Sequence, residues 1–73
     1  MNRPTRLIDS KRNLIVEGSD LLLLDDYYKV KSIDCKDNQY DICCEHESLK
    51  SNVHITGKLS GHIYQVIPEV MVV

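Results

Sequence analysis

Phenylalanine, tryptophan and alanine are all missing from these 73 residues. Alanine is the strongest helix former and the usual small packing residue, so its absence argues against a helical bundle. Long apolar runs are missing too, and nothing approaches the roughly 18 consecutive apolar residues that span a bilayer. The basic start, Met1 to Arg6, is followed by Leu7-Ile8 and at once by Asp9, too short an apolar stretch for a secretory signal. Cysteine is scarce and odd in number. Cys35, Cys43 and Cys44 make no paired framework, and adjacent Cys43 and Cys44 point to opposite sides of a strand. Free thiols in a reducing compartment, the cytoplasm, are the expectation. The three glycines are isolated, which removes a glycine-rich phosphate loop. A chain this short forms one domain and buries only about 60% of its unfolded surface. That leaves one small core and little room for a catalytic pocket, so neither enzyme activity nor a cofactor is expected.

What the chain does have is 42% apolar residues, too many for a disordered segment, and fourteen of its residues are Ile or Val. Such β-branched side chains fit a pleated surface, so the composition favours strands. Leu14-Ile15-Val16 ends in the turn signal Glu17-Gly18-Ser19. Leu21 to Leu24, closed by Asp25-Asp26, fits a strand buried on both faces or the start of a helix capped by Ser19 or Asp20. The strand is favoured, because the residues after Asp26 are themselves strand-like.

Residues 27–46 alternate clearly. Tyr40, Ile42, Cys44 and His46 share one face, and Asp41, Cys43 and Glu45 share the other. Asp37-Asn38 sits between two such runs, and both residues tolerate the positive φ that a two-residue hairpin turn demands. This turn pairs Cys35 with Tyr40 and Ile33 with Ile42. Continued unchanged, it would set Lys31 against Cys44, so a bulge near Ser32 is predicted, restoring Val30 opposite Cys44 and Tyr28 opposite His46. Residues 53–67 read as a second hairpin around Ser60-Gly61, its register open, with Gly57 marking a bend or a close backbone approach. Pro68 breaks the last strand and leaves Val70 to Val73 as a separate terminal strand. It is expected to close the fold within the monomer, the alternative being pairing with a second copy. The expected core is Leu22, Leu24, Tyr28, Val30, Ile33, Tyr40, Ile42, Cys44, Val53, Ile55, Val66 and Val70.

The expected fold is therefore all-β: a small single-domain barrel of five to six short antiparallel strands over residues 13–73, preceded by a loose basic arm over residues 1–12. The strand order is similar to that of small SH3-like barrels in architecture, not in motif, and an OB-like or Sm-like barrel leaves much the same trace. The aromatic residues that peptide-binding SH3 domains use for proline-rich ligands are absent.

Charge divides the chain. Residues 1–12 carry a net +3 and residues 17–47 a net −6, against −2 for the whole. The acids of the main hairpin, Asp34, Asp37, Asp41, Glu45 and Glu47, suit a protein with a basic surface. The alternative is nucleic-acid binding through Arg3, Arg6, Lys11 and Arg12, aided by Tyr27, since phosphate contacts need basic groups. Acids Asp25 and Asp26 beside Tyr27 oppose that reading. Zinc ligation by Cys43-x-x-His46 lacks a second knuckle, and strand alternation turns those two residues to opposite faces, so no metal is expected. A cysteine nucleophile is disfavoured by its acidic surroundings, which raise a thiol pKa. The expected function is a non-catalytic protein-interaction module. Small single-domain proteins of this kind are frequent among viral and mobile-element accessory factors that modulate a host macromolecule.

Overall fold

The computed structural model describes residues 5–73, and strands make up the regular structure among them: β1 (Arg6–Ile8), β2 (Leu14–Ile15), β3 (Asp20–Leu23), β4 (Asp26–Lys36), β5 (Gln39–His46), β6 (Asn52–Lys58), β7 (Tyr64–Val66) and β8 (Met71–Val72). They form two sheets. One has five strands in the order β6-β5-β4-β3-β8, and the other has three in the order β2-β1-β7. Among the described residues the fold is all-β, and the two sheets stay open in place of the expected closed barrel.

Turn chemistry builds the larger sheet. Asp37 and Asn38 take φ of 54° and 61°, the left-handed pair of a type I′ turn. The ladder from Lys36↔Gln39 runs through Cys35↔Tyr40 and Ile33↔Ile42, then shifts between Val30 and Ser32, leaving Val30 opposite Cys44 and Tyr28 opposite His46. This is the hairpin and the bulge that alternation predicts. A second two-residue turn, Leu24-Asp25 with φ of 50° and 67°, joins β3 to β4. A leucine rarely adopts positive φ. Here it points away from the protein and is 88% exposed. The leucine run is thus a strand, but its phase is the reverse of the expected one: Leu21 is fully buried, while Leu24 lies outside.

The smaller sheet departs from expectation. Residues 5–12 are not a loose arm, because β1 pairs with both β2 and β7 and buries Leu7 and Ile8. Residues 1–4 lie outside the described residues. β7 does not return beside β6 as a hairpin but runs parallel to β1. In the link between β6 and β7, Gly61 takes positive φ and the Ile63 carbonyl accepts from the Arg6 N–H, so the chain passes to β1 instead of folding back along β6. Val66 consequently faces outward and Ile67 takes the core position.

β8 pairs antiparallel with β3, so the terminal strand is covered within the chain. Leu7 and Ile15 of the smaller sheet meet Leu21, Val30, Tyr40, Ile42 and Cys44 of the larger one, and Ile67 and Val70 around Pro68 complete the core.

Candidate protein-binding surfaces

Alternation along β4 and β5 sends Ile33 and Ile42 inward and their neighbours Asp34 and Asp41 outward. Those two carboxylates face each other across the ladder. Asp37 stands in the turn beside them, and the three acids line one shallow groove with Lys36, Gln39, Tyr40 and Thr56. Asp41 also meets the His54 ring, Oδ1 to Nδ1 at 2.8 Å. The five acids expected to act together separate into two groups. Glu45 lies further along the sheet, paired with Lys31 at 3.3 Å. Glu47 sits past the far end of β5, its N–H donating to the Tyr27 carbonyl. Strand length is the reason: Asp37 and Glu47 mark opposite ends of β5.

The basic residues of the start of the chain gather on the smaller sheet. Arg6 stands beside Tyr64 in the β1–β7 register. Arg12, in the turn between β1 and β2, lines a groove with Ile8, Ser10, Tyr64 and Val66. Leu14, Tyr64 and Val66 are each about half exposed around Ile8. Lys11 shares the turn, whereas Arg3 lies outside the described residues. Sequence reasoning missed this apolar surround. Its signal, the alternation of Leu14 and Val16 about Ile15, is too short to stand out.

The turn that carries Arg12 is built on Asp9. This carboxylate is almost wholly buried and accepts hydrogen bonds from the N–H groups of Lys11, Asn13 and Val72 and from the Asn13 amide. Burial alone pushes its pKa up, but the four hydrogen bonds outweigh that and hold it down at about 2. Val72 belongs to β8, so the carboxylate ties the two sheets together.

The cysteines and histidines are dispersed. Cys35 is exposed, Cys43 half-buried and Cys44 buried, all as free thiols. Burial, helped by neighbouring Cys43, pushes the Cys44 thiol up to about 11. His46 Nδ1 accepts from the N–H groups of Ser48 and Leu49, and its ring stacks edge-on against Tyr28. It organises the loop after β5. Among the described residues, no three metal-ligating side chains come together. No helix among them is long and apolar enough to cross a membrane.

No protein-family model, curated protein or solved structure matches the chain. The functional reading therefore rests on the geometry of these surfaces.

Proposed function

We propose that the protein is a non-catalytic, cytoplasmic interaction module whose acidic hairpin end docks on the basic surface of a partner protein. The observation that carries this reading is Asp34 directly opposite Asp41, with Asp37 beside both. Like charges facing each other across a ladder are destabilising, and cross-strand pairs are worth about 0.2–1 kcal/mol. Charge on a strand often serves to protect a sheet edge; that fits Asp34, which lies beyond the stretch of β4 paired with β3, but not Asp41, because β5 is paired on both sides there. A basic partner relieves the repulsion and raises the rate of encounter. The test is the pair Asp34→Asn and Asp37→Asn, compared with wild type in cross-linked capture from cell extract followed by mass spectrometry. Basic proteins should be captured by the wild type and lost by the double variant, whose melting temperature should be unchanged or higher. Equal capture by both proteins would leave the acidic end as a solvated surface.

A second reading, nucleic-acid binding through Arg6, Lys11 and Arg12, is favoured by one observation: Arg12 and Tyr64 line the same groove. Cations beside an aromatic ring suit a single strand. A gel-shift across a salt series separates the two readings, because phosphate contacts give affinity that falls steeply with salt.

A further inference from the structure

The longest unpaired edge among the described strands belongs to β6. It has seven residues, no proline and a single cation, Lys58, at its end. Natural edges are usually blunted by shortness, charge, proline or a bulge. The other edge strands follow that rule, with two residues in β2, three in β7 and two in β8. β6 does not.

Its hydrogen-bonding phase is fixed at both ends. Leu59 donates to the Asn38 carbonyl, and Ser51 accepts from the His46 N–H. Odd-numbered residues therefore direct their backbone groups toward β5, and the N–H and C=O groups of Asn52, His54, Thr56 and Lys58 point to the open edge. We propose that this edge is the interface of a homodimer, with two β6 strands antiparallel across a two-fold axis at Ile55.

The register follows from the free groups. Edge-facing residues must meet edge-facing residues, and placing Ile55 on the axis is the arrangement that pairs all seven. His54 then lies opposite the partner's Thr56, and Asn52 opposite the partner's Lys58. Every free N–H and C=O of the edge finds a mate. The charges agree. No like charges come opposite each other, and the partner's Lys58 enters the cross-strand row that already holds Asn52 and Glu45. On the inner face, Val53 and Ile55 are only half-buried where the core ends at β6. The second copy would lay its own Val53 and Ile55 beside them.

The test is the mass of the full chain by sedimentation equilibrium over a concentration series. A reversible dimer of twice 8.4 kDa is expected. Thr56→Pro removes an N–H that faces the open edge and leaves the β5 ladder intact, so it should weaken dimerisation at least tenfold while the monomer stays folded. In a Cys35→Ser, Cys43→Ser background, Ile55→Cys should give a covalent dimer on oxidation and Val53→Cys should not, since residues on the axis meet their own copies. A monomer at every concentration up to about 1 mM overturns the proposal. So does a dimer that survives Thr56→Pro unchanged, or one in which Val53→Cys cross-links as readily as Ile55→Cys.

Discussion

Asp9 shows how far one side chain can act in a protein of this size. Its folded pKa of about 2 lies below the ordinary 3.8, so its charged form is the one that stabilises the fold. That stabilisation is complete above pH 3.8 and disappears as the pH falls toward 2. Asp9→Asn keeps the size but turns one acceptor into a donor facing the N–H groups of Asn13 and Val72. The variant should melt lower than wild type at pH 7, and the gap should narrow between pH 4 and 2. A gap independent of pH over that window would mean that packing, not the carboxylate, is what Asp9 supplies. Gly57 makes a different single-residue argument. The Tyr40 ring occupies the place that a Cβ at Gly57 would take. The alternation of residues 53–59 marks this glycine as a bend or a close backbone approach, and what meets it is a side chain, the Tyr40 ring. Gly57→Ala must displace a buried ring, which should cost about 1–3 kcal/mol in urea unfolding. A loss below about 0.5 kcal/mol would mean that Tyr40 swings aside freely.

At the scale of elements, legibility follows sequence distance. The β4–β5 hairpin, its register and its bulge could be read because every determinant lies within twenty residues: a turn pair that tolerates positive φ, and alternation strict enough to make a slip visible. The four leucines after Asp20 offer no alternation, so only the position of the following turn sets their phase, and Leu24 in that turn was not predictable from residue type. The partner of β7 was illegible for another reason. Its pairing with β1 joins residues nearly sixty apart in parallel, with no turn between them to carry a signal. The candidate site divides the same way. Three acids near Asp37 come together because one turn places them, while Glu45 and Glu47 are carried off along β5. Relief of charge at that turn has a stability consequence of its own: Asp34→Asn should raise the unfolding free energy in urea by about 0.2–1 kcal/mol. A loss of similar size would show that Asp34 makes a contact worth more than the repulsion.

At the scale of the whole molecule, two open sheets share one small core, and the joint between them is narrow. Residues at the C-terminus bear much of it. β8 covers the edge of β3, Val72 donates to Asp9 of the smaller sheet, and Val73 N–H donates to the Asp20 carbonyl. Leu21, the fully buried leucine of β3, stands directly across from Val72. Deleting Met71 to Val73 therefore removes a strand, opens the edge beside Leu21 and leaves the buried Asp9 carboxylate one donor short. Small domains have only about 5 kcal/mol of net stability to lose, so the truncated chain should be unfolded by far-UV circular dichroism at 25 °C, at any protein concentration. The concentration series matters because β8 pairs inside the chain, whereas the proposed dimer uses β6. A truncated chain that regains structure on concentration would mean that the second copy supplies what the lost strand removed, and that the two sheets are held together chiefly from outside.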